Sequence, residues 1–278
     1  GSEAEMSGNG IRCASRVCFE GSFRGRTPLD FVTPGGRFRT ENFVDPESGV
    51  ACVRVFTGRI ETNPERVLAD GSREPFIDRR LEGEGLDGWG LTGTILSIGN
   101  PHLVVTVPDL AKIDLPFLGN ALEHHPMFRN RANVSFVQVV DPRTILVQTH
   151  ERGVGPTLSC GTGMTASTVA QVLSGGVQNG VEITVHTAGG IAWVTPAVTP
   201  AEISARLMGN ATLVYRGTVG VVVAGGEVRL APGEPIRRGE VFQEEARCYE
   251  RLAARSLFDR SVLRGTALAA GAMSDRHS

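Results

Sequence analysis

The sequence predicts a strand-rich α+β protein built from two similar lobes. Segments of alternating apolar and polar residues are frequent, whereas helical periodicity is confined to a few short runs. The chain has 35 glycines among its 278 residues, which suits many tight turns. A glycine-rich loop followed by a helical run occurs twice, at residues 7–10 and again at residues 160–163. This repetition indicates an internal duplication, with one copy of the loop in each lobe.

Composition and charge exclude several classes of function. Hydrophobic residues make up 41% of the chain and charged residues 21%, as in ordinary globular proteins. The 28 Lys and Arg residues nearly balance the 30 Asp and Glu residues, with no long run of either sign. No apolar run approaches the roughly 20 residues that a membrane span needs, and no signal-peptide pattern opens the chain. We therefore expect neither a nucleic-acid partner nor a membrane partner.

The cysteines indicate the redox setting. Their number, five, is odd, and they are scattered rather than spaced as metal ligands. They are Cys13, Cys18, Cys52, Cys160 and Cys248. A reduced, cytoplasmic setting without a metal site is the simplest interpretation.

The first lobe, assigned to residues 1–75, is predicted to open with a turn and a helix. A polar, glycine-rich turn at residues 3–10 leads into a helical run at residues 11–19. Three alternating segments follow and are predicted to be antiparallel strands, at residues 29–33, 36–43 and 49–56. A polar stretch at residues 61–88 is predicted to connect the lobes.

The second lobe, assigned to residues 76–210, repeats this organisation. Its strands are predicted at residues 91–98, 103–107, 133–140, 144–150, 180–187 and 191–195. The second glycine-rich loop, at residues 151–163, precedes a helix predicted at residues 164–173. Residues 211–225 are assigned to a strand that returns to the first lobe.

The tail, residues 226–278, carries no recognisable chemistry. A hairpin is predicted around Gly225-Gly226, a helix at residues 240–257 and disorder at residues 265–278. A docked or dimer-forming helix and a solvated appendage both fit this pattern.

Cys160 is predicted to lie at the N-terminus of its helix. The unpaired backbone N–H groups and the positive end of the helix dipole there favour a thiolate and can hold a carboxylate. A buried cysteine packed beside a tight turn is the alternative. Ser7 holds the equivalent place in the first loop, where an ordinary serine-capped turn is the alternative.

Two such loops that meet head to head would create a shared pocket for a carboxylate. An acid or base on each face of an α-carbon could then remove one proton and return another. That chemistry inverts an amino-acid stereocentre without a cofactor, and two helix N-termini in a dry pocket would stabilise the growing negative charge.

Four motifs together resemble the diaminopimelate epimerase family in order and rough spacing, over about residues 1–220. They are Glu3-Ala-Glu-Met-Ser-Gly-Asn-Gly-Ile-Arg-Cys13, Gly99-Asn-Pro-His102, Asn133-Val-Ser-Phe-Val-Gln138 and Glu151-Arg-Gly-Val-Gly through Cys160-Gly-Thr-Gly163. The resemblance implies two pseudo-symmetric lobes, each a mixed β-barrel-like sheet around a central helix, with the site in the cleft between them. It also implies a small-molecule amino-acid substrate, interconversion of LL- and meso-diaminopimelate by a thiol/thiolate pair without a cofactor, and a role in lysine and peptidoglycan synthesis. A homodimer fits this picture.

The resemblance implies roles for individual residues. Cys160 matches one of the two catalytic cysteines. The loops that hold the reacting carboxylate match Gly8, Asn9, Gly161 and Thr162.

At the far end of the substrate, the groups that bind the second carboxylate match Asn100, Asn133 and Arg152, and the distal ammonium partner matches Glu151. Glu151 and His102 match residues that tune the cysteine pKa values. Considered alone, His102 would be assigned as a structural imidazole at a strand end.

Two departures from the family pattern bear on activity. Ser7 stands where the family has its other catalytic cysteine, and a hydroxyl is far less acidic than a thiol. The family also has a substantial segment before the position of Gly1, so we expect an incomplete first lobe and exposed sheet edges. An impaired epimerase, a related racemase or dehydratase, and an inactive diaminopimelate-binding homologue remain open interpretations.

Overall fold

The structure is a computed structural model that describes residues 6–83, 85–86, 88–231 and 236–258. Four α-helices lie within these ranges, α1 (Gly8–Glu20), α2 (Leu115–Glu123), α3 (Gly161–Leu173) and α4 (Gln243–Ala253). The first strands are β1 (Leu29–Thr33), β2 (Gly36–Val44), β3 (Ala51–Arg59), β4 (Arg79–Arg80), β5 (Thr92–Ser97), β6 (Pro101–Thr106), β7 (Asn133–Asp141) and β8 (Thr144–Glu151). The remaining strands are β9 (Gly155–Thr157), β10 (Ile183–Thr187), β11 (Gly190–Val198), β12 (Ile203–Asn210), β13 (Tyr215–Thr218), β14 (Val221–Ala224), β15 (Glu227–Leu230) and β16 (Arg237–Val241).

One mixed sheet of 12 strands runs through both lobes. Its order is β1-β2-β3-β12-β11-β10-β8-β7-β6-β5-β4, and β9 pairs with β8 beside this path. The β6–β7 and β8–β10 pairs are parallel, whereas the other pairs of the large sheet are antiparallel. The α+β class and the mixed sheet are therefore confirmed.

In the second lobe, α3 is the central helix. Every residue of α3 from Gly161 to Gln171 is buried, and the helix packs against strands from β5 to β12. Its apolar side chains Met164, Ala166, Val169 and Ala170 lie in the largest buried cluster. A second cluster, which includes Leu122 of α2, fills another part of this lobe. Burial of helix α3 on all sides explains its weak amphipathic pattern.

In the first lobe, α1 packs on β2 and β3. The Ser15 hydroxyl lies 2.7 Å from the Thr40 hydroxyl and accepts a hydrogen bond of 2.8 Å from the Asn42 amide. All three residues are buried. These hydrogen bonds attach the helix to β2 at one position.

The two helices meet at their N-termini through two glycines. A Cβ atom placed on Gly8 would lie 3.1 Å from the Cα of Gly161, and one placed on Gly161 would lie 3.0 Å from the Cα of Gly8. Both positions also approach the Leu207 side chain, at 3.3 and 3.1 Å. Only glycine at both positions lets the helix ends approach this closely.

Most predicted elements are confirmed, with boundaries that differ by a few residues. The helices α1 and α3 each begin at the glycine after the cap residue, three residues earlier than predicted. The predicted hairpin at Gly225-Gly226 is formed by β14 and β15. The predicted disorder at residues 265–278 lies outside the described residues.

Several second-lobe elements were missed, among them β12, α2 and the short strands β4 and β9. The strand that joins the lobes is β12, which pairs with both β11 and β3, whereas the sequence placed a returning strand at residues 211–225. That segment instead contains β13 and β14, whose residues are exposed and lie outside the large sheet. Valines give β14 strand propensity, but propensity does not specify the pairing partner. The short helix α2 was also missed, because Pro116 and Gly119 obscure its pattern.

The tail helix predicted at residues 240–257 is present as α4, and it is docked. Leu252 and Ala253 are buried against the body of the protein. Within the described residues, no helix is both long and apolar enough to cross a membrane.

Replacing Gly8 with alanine should lower the free energy of unfolding by about 1–3 kcal/mol, because the added Cβ would press on the backbone of Gly161. The measurement is urea unfolding followed by circular dichroism. Gly88→Ala is the control, since a Cβ there meets nothing within 4 Å. Equal stability changes in the two variants would show that the helix ends are not in tight contact.

Candidate active site

The two predicted nucleophiles occupy equivalent positions. Ser7 caps α1, and its hydroxyl accepts a hydrogen bond of 3.2 Å from the Gly10 amide. Cys160 caps α3, and its sulfur accepts one of 3.3 Å from the Gly163 amide. Both cap residues have extended backbones, with φ and ψ of −134° and 109° at Ser7 and −118° and 114° at Cys160. The internal duplication thus extends to the cap geometry.

Burial dominates the electrostatics of Cys160. Only 5% of this residue is exposed, and burial together with the Glu151 carboxylate raises the thiol pKa from 9.0 to about 12. Hydrogen bonds from Thr162 and Gly163 lower the pKa, but by less. The Gly163 amide at the helix N-terminus acts in the expected direction, but desolvation and a nearby negative charge raise the pKa by more than this amide lowers it. The thiol is neutral near pH 7.

Asn9 links the two lobes beside the helix caps. Its amide nitrogen donates a hydrogen bond of 3.0 Å to the carbonyl of Ser159, the residue before Cys160. Its amide oxygen accepts one of 3.0 Å from the guanidinium of Arg12. The side chain of the first loop therefore contacts the backbone of the second.

Arg12 holds the first loop through hydrogen bonds and was not identified from the sequence. It is 6% exposed, and its guanidinium also donates to the carbonyls of Gly8 at 3.3 Å and Asn210 at 3.2 Å. Burial lowers its pKa. The only signal was its place inside the first motif, which does not distinguish a buried arginine from a solvated one.

His102 is connected to Cys160 through two side chains. His102 Nε2 lies 3.0 Å from Asn100 Oδ1, Asn100 Nδ2 donates to the Thr162 hydroxyl at 3.3 Å, and that hydroxyl lies 3.6 Å from Cys160 Sγ. His102 is fully buried, and burial, followed by the charge of Arg152, lowers its pKa to about 3. A neutral imidazole adds no charge near the cysteine, so its contribution is to orient Asn100.

The residues matched to the far end of the substrate lie at or beside the ends of β6, β7 and β8. Asn133 donates to the Pro101 carbonyl at 3.0 Å and accepts from the Arg152 backbone amide at 3.0 Å. Arg152 also donates to the Asn130 carbonyl at 3.4 Å. Glu151 accepts a hydrogen bond of 2.6 Å from the Thr157 hydroxyl and acts electrostatically on Cys160.

These contacts bring all the predicted site residues into one region. Direct contacts or chain adjacency connect Ser7, Gly8, Asn9, Asn100, His102, Asn133, Glu151, Arg152, Cys160, Gly161 and Thr162. Two helix N-termini, one capped by a hydroxyl and the other by a thiol, therefore meet in this region, and the N-terminus of a helix can bind an anion.

A buried carboxylate that the sequence did not reveal supports the turn that carries Arg152. Glu123 of α2 is 2% exposed and accepts from the Gly153 amide at 2.8 Å and from Arg131 at 3.0 Å. His150 Nε2 lies 2.9 Å from its other oxygen. Because Gly153 follows Arg152, Glu123 fixes the backbone beside the predicted distal site.

Comparison of this sequence with known proteins shows which family it belongs to. Residues 94–214 match the family described as diaminopimelate epimerase. The diaminopimelate epimerase of Methanothermobacter thermautotrophicus is 39% identical over 217 residues, which cover 78% of this chain and 74% of that protein. The enzyme of Moorella thermoacetica is 36% identical over 221 residues, which cover 78% of this chain and 75% of that protein. This chain belongs to the diaminopimelate epimerase family.

Solved structures agree at the level of the fold. A probable proline racemase from Agrobacterium radiobacter aligns with a TM-score of 0.53 at 16% identity, over 74% of this chain and 65% of that one. A PhzF-family phenazine biosynthesis protein from Bacillus anthracis aligns with a TM-score of 0.52 at 15% identity, over 76% of this chain and 74% of that one. This chain therefore shares its fold with both of these proteins.

Glu123→Ala should lower the free energy of unfolding by about 3 kcal/mol, because it leaves a buried imidazole and a backbone amide without their acceptor. Urea unfolding measures the effect. Glu65→Ala is the matched control, since Glu65 also pairs with an arginine, Arg73 at 2.7 Å, but its side chain is 40% exposed. That variant should lose less than about 1 kcal/mol. Similar losses in both variants would refute a structural role for the buried carboxylate.

His102 should make the protein acid-sensitive. Its pKa is lowered from 6.5 to about 3 in the folded state, so below pH 6.5 the unfolded chain binds a proton that the folded chain does not. Stability should therefore fall as the pH decreases from 6.5 towards 3, by up to about 1.4 kcal/mol per pH unit. Urea unfolding at pH 7 and pH 5 should show a smaller difference for His102→Gln than for the wild type. Identical differences would contradict this assignment.

Proposed function

We propose that this protein is a cofactor-independent epimerase that interconverts LL- and meso-diaminopimelate by proton transfer at the α-carbon. The observation that carries the proposal is the end-to-end meeting of α1 and α3 at Gly8 and Gly161, with Ser7 and Cys160 as the two caps. Family membership supports it through the relatives that bear this name.

The reacting carboxylate would bind between the helix ends. The first N–H groups of α1 and α3 lack partners within their own helices and point along the helix axes. Both positive dipole ends favour the substrate carboxylate, and more so the negative charge that spreads onto it when the α-proton leaves. Asn9 and Thr162 border this position from the two loops.

The far end of the substrate would meet the residues at the ends of β6, β7 and β8. Arg152 suits a carboxylate because its guanidinium can donate two parallel hydrogen bonds. Asn100 and Asn133 add amide donors, and Glu151 suits the distal ammonium. The presence of all four favours diaminopimelate over a related racemase or dehydratase substrate that lacks a charged far end.

Proton transfer requires one group as base and the other as acid. With a pKa of about 12 in the substrate-free site, Cys160 starts as a neutral thiol and suits the acid role. A bound ammonium near Glu151 would offset the negative charge that helps to raise this pKa. On the opposite face of the substrate α-carbon, the Ser7 hydroxyl is a poor base and a poor acid near neutral pH. Proton transfer on that face would therefore limit the rate.

Ser7→Cys should raise the rate of LL/meso interconversion by about 10²–10⁴-fold, the usual contribution of one positioned acid–base group. The measurement is interconversion with deuterium uptake at the α-carbon in D₂O. Ser7→Ala should show no gain and serves as the matched control. Absence of both interconversion and deuterium uptake in the wild type and in Ser7→Cys would refute the proposed activity.

Ser7 favours one second candidate, an inactive homologue that binds diaminopimelate. Calorimetric binding of diaminopimelate by the wild type, without α-proton exchange in the wild type or in Ser7→Cys, would support this alternative. A cytoplasmic location and a homodimer remain predictions, as does the absence of nucleic-acid and membrane partners.

A further inference from the structure

The tail helix α4 lies outside the residues that match the family, yet it packs on both lobes. Leu252 is 2% exposed and shares a buried cluster with Val50 and Cys52 of the first lobe and Ile191 of the second. Phe258, just after the helix, is 8% exposed and joins a core cluster of the second lobe. A solvated appendage would bury neither side chain.

Glu245 attaches α4 to the first lobe. One oxygen of its carboxylate lies 2.7 Å from a guanidinium nitrogen of Arg16, and the other accepts from the Leu213 amide at 3.0 Å. The Arg16 side chain is 10% exposed and lies on α1, the helix that Ser7 caps. This ion pair is therefore shielded from water more than a surface pair would be.

Tyr249 attaches the same helix to the second lobe. Its hydroxyl donates to the carbonyl of Gly189, in the turn between β10 and β11. Two further contacts follow the helix, since the Ser256 hydroxyl donates to the Thr187 carbonyl at 3.2 Å and the Leu257 amide donates to His186 at 3.2 Å. The helix thus holds one particular turn of the second lobe.

That turn lies against the segment that carries Cys160. The Gly189 amide donates to the Leu158 carbonyl at 2.7 Å. A Cβ on Gly189 would lie 3.0 Å from both the Leu158 oxygen and the Ser159 Cβ, so the turn and the segment are in tight contact. Contacts therefore run from Tyr249 through Gly189 to the residues immediately before Cys160.

We infer that α4 clasps the two lobes together and that Tyr249 and Glu245 are positioning residues for the Cys160 and Ser7 caps. Tyr249 acts through the Gly189 turn, and Glu245 acts through Arg16 of α1. The catalytic meaning of this inference rests on the proposed function, whereas the position of the cysteine can be measured without substrate.

The accessibility of Cys160 reports directly on whether α4 holds the segment before Cys160 in place. The residue is 5% exposed, and burial is the largest cause of its raised pKa. A looser segment before it would admit water and lower the pKa. Each pKa unit lost gives about tenfold more thiolate at a fixed pH well below the pKa, and the thiolate is the form that reacts with iodoacetamide.

Tyr249→Phe removes the hydroxyl and keeps the ring. Labelling of Cys160 by iodoacetamide at pH 8, followed by mass spectrometry of the peptides, should become about tenfold faster than in the wild type. Exposed Cys13 provides the reference rate within each sample. Tyr215→Phe is the matched control, because Tyr215 is 44% exposed on β13. It should leave the Cys160 rate unchanged.

Glu245→Gln tests the attachment to the first lobe. It should also speed Cys160 labelling, whereas Glu244→Gln should not, because Glu244 pairs with arginines of α4 itself, Arg247 and Arg251. Repeating the labelling in low urea separates local loosening from global unfolding, since only the global route accelerates steeply with urea.

Unchanged Cys160 labelling in both Tyr249→Phe and Glu245→Gln would overturn the inference that α4 holds the two lobes together and positions Cys160. Faster labelling that follows the steep urea dependence of global unfolding would overturn it as well. These results do not depend on turnover, so a failure of the proposed epimerase activity remains distinguishable from a failure of the clasp.

Discussion

The close contact between Gly8 and Gly161 is the constraint on which the rest of the site depends. Two helix N-termini repel each other electrostatically, and side chains at these positions would keep them apart. Glycine at both positions removes the steric repulsion between the helix ends. The strand β12 pairs with both β3 and β11 and so connects the two lobes that carry the helices. The electrostatic cost is reduced when an anion lies between the helix ends, which is the situation in which the proposed substrate carboxylate binds.

Buried polar groups hold the loops around this contact. Arg12 fixes the first loop through Asn9 and Gly8, and His102 orients Asn100 beneath the second. Glu123 does the same for the turn after Arg152. Each of these groups hydrogen-bonds to backbone or to a polar site residue, because an unsatisfied polar group in such a position would cost about 1–3 kcal/mol. Stability and site geometry are therefore coupled through the same contacts.

Much of the site was predictable, because its chemistry is concentrated in local motifs. The cap positions of Ser7 and Cys160 follow from the glycines after them, and the strands on which Asn133 and Glu151 lie follow from regular alternation. The supporting residues were not predictable in the same way. A lone Glu123 on a short helix, or Arg12 on the second turn of α1, shows its burial only when distant segments pack on it. The raised pKa of Cys160 was not predictable for the same reason, since desolvation is a property of the assembled core.

By itself, the sequence determined the class of the fold, the duplicated loop with its two helices, the family resemblance, and the serine that stands where the second thiol is expected. These features depend on neighbouring residues, because caps, turns and strand alternation are local. The tertiary structure alone decided that β12 joins the lobes, that burial keeps the Cys160 thiol neutral, and that α4 lies across both lobes against the turn behind the cysteine. Those outcomes depend on contacts between residues that are far apart in the chain, and no local pattern specifies which partner a buried surface will meet.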